Sequence, residues 1–91
     1  MDEKIKFYRN AERVLKFINI YRFRCIHIDE IKKEFKLLHS DAELVSIINH
    51  LSNKDYIYLT DHKNRTSIKK IKDLDCDVIV RLTLKGLKHL V

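Results

Sequence analysis

Proline is absent from this 91-residue sequence, and glycine occurs once, at Gly86. The sequence therefore has no flexible linker, no low-complexity tract and no glycine-rich phosphate loop. Because a chain of this length suits one domain, we expect a single folded unit over residues 1–91. Charged residues interrupt every apolar run, so we predict no signal peptide, no membrane span and no membrane partner, and hence a cytoplasmic protein.

Cysteine is scarce as well, and Cys25 and Cys76 lie far apart, which in a reducing compartment predicts buried or idle thiols rather than a disulfide. The five histidines are scattered without neighbouring cysteines, so no zinc site is predicted. Asp73, Asp75 and Asp77 alternate as calcium ligands do, but the glycine and the glutamate that complete a calcium loop are missing. We therefore expect a non-enzymatic protein without metal, cofactor or small-molecule substrate.

Charge, in contrast, is abundant: 35% of the residues are charged, and the net charge is +6. Residues 1–27 carry seven cations and three anions, residues 28–53 three and five, and residues 54–91 nine and five. A basic excess on a small protein attracts polyanions such as DNA, RNA or anionic lipid. The two end regions are therefore the candidates for polyanion binding.

Residues 1–22 have a helical period, because Phe7, Ala11, Val14 and Ile18 recur at steps of four, three and four. A basic stripe occupies the opposite side of this predicted helix: Lys6, Arg9, Arg13 and Lys16. Four cations without an interleaved acid favour polyanion binding, although an ordinary solvated face is the alternative.

Residues 29–53 predict two further helices, the first with Asp29 as its N-cap and the second with Ser40 and Glu43 in a capping box. The outer face of the second of these helices has no lysine or arginine, which suits either a protein partner or base reading. The residues predicted for that role are Val45, Ser46, Asn49, His50 and Asn53.

From Tyr56 onward the composition changes to that of strands, over residues 56–60, 66–71 and 78–82. Residues 56–83 thus predict a β-hairpin with room for a third strand, and Thr83 is expected to cap a short helix over residues 83–91. The cations predicted to bind nucleic acid here are Lys63, Arg65, Lys69, Lys70 and Lys72. A hydrated hairpin is the alternative.

This order of elements resembles the winged helix-turn-helix fold. Residues 40–57 are similar to the stretch in which the recognition helix ends in a lysine, a turn residue and an apolar pair; Asp55 stands where the family often has glycine, and Asp tolerates left-handed backbone. Leu82-Thr83-Leu84-Lys85-Gly86 resembles the segment that closes the wing in MarR-like and PadR-like regulators. The resemblance implies an α+β fold of three helices, a β-hairpin wing and a short C-terminal helix.

In size and composition, though not in a motif, the chain also resembles small winged-helix partners of a primase-polymerase on staphylococcal cassette elements. Asn49 suits adenine, but Asp41 and Glu43 would meet phosphates with like charge. We therefore predict a protein that holds single- or double-stranded DNA largely non-specifically through its first helix and wing, and docks a protein partner through its third helix. The alternative is a sequence-specific transcriptional regulator with that helix in the major groove.

Overall fold

The computed structural model describes residues 2–91, which form an α+β fold of four helices and a four-stranded antiparallel sheet. The helices are α1 (Asp2–Ile20), α2 (Ile28–Phe35), α3 (Asp41–Asn53) and α4 (Leu84–Leu90). The strands are β1 (Ile26–His27), β2 (Ile57–Asp61), β3 (Thr66–Ile68) and β4 (Val78–Leu82). The sheet order β1-β4-β2-β3 places β4 and β2 at its centre.

The core lies between the helices and one face of the sheet. Alternate residues of the central strands are buried, Ile57 and Leu59 from β2 and Val78 and Val80 from β4, as a half-covered sheet requires. Most of the apolar stripe predicted for the first helix is buried, namely Ala11, Val14 and Ile18, and Phe7 is half-buried. Within residues 2–91, no helix combines the length and the apolar composition needed to cross a bilayer.

The start of α2 differs from the prediction, because His27 rather than Asp29 is its N-cap. His27 ends β1 with extended backbone, and its Nδ1 accepts a hydrogen bond from the Asp29 N–H at 3.1 Å. The His27 N–H in turn donates to the Glu30 carboxylate at 2.9 Å. Asp29 stands inside the first turn and pairs with Lys33 at 3.1 Å, so the prediction for Asp29 is wrong.

The predicted capping box of α3 is half right. Ser40 is the N-cap, and its Oγ accepts from the Glu43 N–H at 3.2 Å. The Glu43 carboxylate, however, lies 3.0 Å from the Nδ1 of His39 instead of reaching back to the N-cap backbone.

The segment from Leu82 to Gly86 holds α4 against the turn that follows α3. Thr83 caps α4 as predicted, since its Oγ1 accepts from the Gly86 N–H at 3.0 Å and donates to the Asp55 carbonyl at 2.6 Å. Asp55 has a φ of 62°, which confirms its predicted left-handed backbone. A Cβ on Gly86 would lie 2.2 Å from the Tyr56 carbonyl oxygen, so this close approach requires glycine.

The strand predicted over residues 66–71 is present but ends at Ile68, because the chain then leaves the sheet and passes along α3. Ser52 Oγ donates to the Lys69 carbonyl at 2.7 Å. The Asn49 amide accepts from the Ile71 N–H at 2.8 Å and donates to the Ile71 carbonyl at 3.0 Å. Ile71 and Leu74 are buried, so residues 69–77, which we call the crossing segment, are fixed to the body of the protein.

Candidate nucleic-acid interface

Helix α3 is covered on three of its sides. Its inner side is buried in the core. One flank is bonded to the crossing segment through Asn49 and Ser52, and the other flank contacts α1 through His50. A narrow outer strip is left exposed, and it carries Ala42, Ser46 and Asn53, none of which is charged.

A groove of about 740 Å³ runs between this strip and the crossing segment. We call it the α3 groove, and its lining residues are Ser46, Asn49, His50, Asn53, Lys69 and Lys70. None of these described residues is acidic, so two ammonium groups and several neutral polar side chains face the same space. Such a lining suits an anionic ligand, because lysine, serine and asparagine are frequent donors to phosphate oxygens.

Two of the five residues predicted for partner docking or base reading, Asn49 and His50, are already engaged within the fold. Both polar atoms of the Asn49 amide are bonded to the backbone of Ile71. The His50 ring lies 5.3 Å from the ring of Phe7 and 5.4 Å from that of Tyr8. Burial, and to a smaller degree the nearby Lys54, lowers the pKa of His50 below its ordinary value. His50 therefore contributes a neutral ring to the groove at neutral pH.

Of the other three residues predicted for this role on α3, one is half-buried and two are exposed. Val45 is half-buried and packs against the core. Ser46 and Asn53 are exposed. The structure thus leaves two of the five predicted side chains exposed, and a role for the set in reading bases or docking a partner stays a prediction.

The predicted cations of residues 56–83 lie in separate places. Lys63 and Arg65 are exposed in the turn between β2 and β3, where Arg65 has a φ of 55°. Lys69 and Lys70 line the α3 groove, although Lys69 Nζ also lies 3.4 Å from the Asp55 carboxylate. Lys72 belongs to neither group, because it lines a second groove on the far side of the crossing segment.

That second groove, the acidic groove, has a volume of about 320 Å³. Its charged lining residues are Asp61, Asp73, Asp75, Asp77 and Lys72, and Cys76 lies among them. Each of the four aspartates has a partner within the chain: Asp61 accepts from the Asn64 N–H, Asp73 accepts from the Asp75 N–H, Asp75 lies 3.5 Å from Lys32, and Asp77 lies 2.8 Å from His27. Among residues 2–91, no three histidine, cysteine or carboxylate side chains are grouped so that they could hold a metal ion.

Neither cysteine forms a disulfide, as predicted, but the expected burial is only partly right. Cys25 is exposed, with the Arg81 guanidinium 2.9 Å from its Sγ. Cys76 is half-buried, and burial together with the surrounding aspartates raises the pKa of its thiol.

The basic stripe of α1 is exposed along its whole length: Lys6, Arg9, Arg13 and Lys16. No carboxylate of the described side chains, residues 3–91, lies within ion-pairing distance of any of the four. Three of these cations border a shallow groove of about 460 Å³ together with Ile5 and the buried Asn10. α1 contacts one flank of α3 and the crossing segment the other, while the basic stripe lies on the face of α1 opposite the one that packs against the protein.

Two features of this surface were missed by sequence reasoning. The run from residue 72 to 77 reads as a charged loop, yet Ile71 and Leu74 anchor it; two apolar residues spaced by three within a charged stretch were the available signal. The hydrogen bonds from Asn49 to Ile71 span 22 residues and have no local signature.

The chain matched no family model, no curated protein and no solved structure when it was compared with each. Its function has to be inferred from the surfaces themselves.

Proposed function

We propose that this protein is a non-enzymatic nucleic-acid-binding module of the winged-helix type, which holds DNA in the α3 groove and along the basic side of α1. The succession of α1, β1, α2 and α3, followed by the strands β2 to β4, supports the winged-helix assignment. In this assignment α2 and α3 are the helix-turn-helix, and the wing consists of β2, β3, the crossing segment and β4.

The α3 groove is the observation that carries this proposal. Lys69 and Lys70 border it, polar groups of α3 form its floor, and its described lining lacks a carboxylate. A phosphate backbone placed there would meet cations and neutral polar groups, although the exposed Asp55 carboxylate lies 3.4 Å from the Nζ of Lys69. Contacts of this kind supply affinity that falls as the salt concentration rises.

Binding without much sequence discrimination follows from the state of α3. A bidentate contact from an asparagine to adenine gives about 1–3 kcal/mol of discrimination, but it needs a free amide. The Asn49 amide is occupied by two hydrogen bonds to Ile71, and the outer strip of α3 has no arginine or lysine that could replace it. The sequence-specific regulator is therefore the weaker alternative.

Docking of a protein partner through α3, as predicted from the sequence, would compete with DNA for the same exposed residues. Ser46 and Asn53 line the α3 groove, so a partner bound to them would close it. A module that holds DNA and a partner at once needs a second surface for the partner.

The test is fluorescence anisotropy with a labelled duplex of about 20 base pairs and its single strand, at about 50 mM and 200 mM salt. We expect salt-sensitive binding that the double variant K69E/K70E weakens by about tenfold or more at the lower salt concentration. The matched control is K85E/K88E, which makes the same change of net charge on α4, outside the groove. Absence of binding at low salt, or an equal loss in both double variants, would contradict a role for the α3 groove.

A further inference from the structure

Five large apolar side chains remain exposed around the ends of α1 and α2: Ile20, Tyr21, Phe23, Leu37 and Leu38. We call this set the apolar end. Phe23 is 88% exposed and Leu37 is 91% exposed, so these two side chains stand almost free of the protein. An apolar side chain in that position contributes little to the core, and a contiguous group of them is typical of an interaction surface.

Aromatic packing brings the two parts of the apolar end together. The ring of Phe17 lies 5.1 Å from that of Tyr21 and 5.6 Å from that of Phe35, so the last turns of α1 and α2 meet. The Leu38 N–H donates to the Phe35 carbonyl at 3.0 Å, which keeps the turn after α2 at the same end of the molecule. Residues 20–23 and 37–38 thus border one surface.

The charges around this surface are mostly positive. Lys16 lies one helical turn before Ile20, Arg22 precedes Phe23 with its guanidinium 4.4 Å from the ring, and Lys36 precedes Leu37. None of these three cations pairs with a carboxylate of the described side chains, residues 3–91. Glu34 and Asp41 are the exposed acids nearest in sequence, and Asp41 lies 3.8 Å from the Nζ of Lys32, so the net charge around the surface is positive.

We infer that the apolar end docks an acidic partner protein, which receives Phe23 and Leu37 in an apolar pocket rimmed by aspartate or glutamate. Aromatic and arginine side chains dominate the binding energy of many interfaces, and Phe23 with Arg22 provides that pair. A second copy of this chain does not fit, because a two-fold contact would set each cationic rim against its own equivalent. This surface is separate from the α3 groove and shares only Lys16 with the basic stripe of α1, so the inference does not depend on nucleic-acid binding.

The experiment selects displayed random peptides of about 16 residues against the folded wild-type protein, then measures the enriched peptides by anisotropy. We expect the enriched peptides to combine aspartate or glutamate with leucine, phenylalanine or tryptophan. Their affinity should fall by about tenfold for F23S/L37S, which removes the apolar contacts, and for the charge variant R22E/K36E, which removes the cationic ones. The matched control I5S/L84S changes two other exposed apolar residues and should bind as the wild type does.

Several results would overturn the inference. Enriched peptides that are neutral or basic, or that bind F23S/L37S as well as the wild type, would rule out an acidic partner at this surface. Sedimentation with phosphatidylglycerol vesicles that is lost in F23S/L37S would assign the surface to a bilayer instead. Self-association that is lost in the same variant would assign it to a second copy. Circular dichroism of each variant establishes that the folded state is retained, as expected for substitutions at such exposed positions.

Discussion

The two sides of the crossing segment carry opposite charge. On one side Lys69 and Lys70 border the α3 groove, whose described lining has no acid. On the other side Lys72 lies in the acidic groove among four aspartates. Sequence counting gives residues 54–91 nine cations and five anions, and so treats the region as uniformly basic. The net charge of a segment therefore says little about the electrostatic field at a surface when the backbone passes between the charges.

This separation depends on how the crossing segment is held. Ser52 and Asn49 bond the backbone at Lys69 and Ile71, and Ile71 and Leu74 are buried. The backbone of the crossing segment is therefore fixed between the two grooves. Weakening the contacts that hold it should lower the stability of the protein and also change nucleic-acid binding.

The largest expected effect is that of N49A. This substitution removes both hydrogen bonds to Ile71 and leaves two half-buried backbone groups without partners, which predicts a loss of about 1–3 kcal/mol in the free energy of unfolding. Urea unfolding followed by circular dichroism measures it. The control is N53A on the same helix, whose exposed side chain should give a change within about 0.5 kcal/mol. An N49A protein as stable as the wild type, with altered discrimination between DNA sequences, would instead favour base reading by Asn49.

The elements that sequence reasoning identified correctly have local signals. The helical period of α1, the cap at Thr83 and the left-handed turn at Asp55 each depend on residues within a few positions of one another. The cap of α2 was missed because an imidazole accepted the hydrogen bond that a carboxylate normally accepts. The candidate site could not be predicted in the same way. Whether a lysine of the crossing segment lies in the α3 groove or in the acidic groove is decided by hydrogen bonds to α3, some 20 residues away in sequence.

The next largest effect is the difference in duplex binding between K70E and K72E. Because Lys70 borders the α3 groove and Lys72 lies among aspartates, K70E should weaken duplex binding about threefold to tenfold at low salt, and K72E should change it less. The slope of log affinity against log salt should become shallower by about one for K70E alone. Anisotropy titrations at several salt concentrations measure both quantities. Equal losses for the two variants would mean that DNA responds to net charge and not to the groove.

A smaller effect concerns the field of the acidic groove itself. Burial first, and then the aspartates around it, raise the pKa of Cys76, so a smaller fraction of this thiol is the reactive thiolate near neutral pH. In the C25S variant, alkylation of Cys76 by iodoacetamide should be slow and should accelerate when D73N/D75N removes two negative charges. Mass spectrometry of timed samples gives the rates. An unchanged rate in D73N/D75N would show that the aspartates do not act on this thiol.

The smallest effect is the pH dependence that His50 confers on the other groove. Burial lowers the pKa of His50 in the folded state below the value of about 6.5 that it has in the unfolded chain. As the pH falls through 6.5, the unfolded state therefore binds a proton that the folded state does not, and His50 makes the protein less stable; well above that pH it contributes no such dependence. The urea midpoint should thus fall less in H50Q than in the wild type when the pH is lowered from about 7.5 to about 5.5.

Bound phosphate must act in the opposite direction, because an anion in the α3 groove favours the protonated ring beside Lys54. Duplex affinity should accordingly rise on acidification more in the wild type than in H50Q. Parallel affinity profiles for the two proteins, with the stability difference intact, would place the phosphates away from His50 and leave the α1 stripe as the surface that DNA contacts.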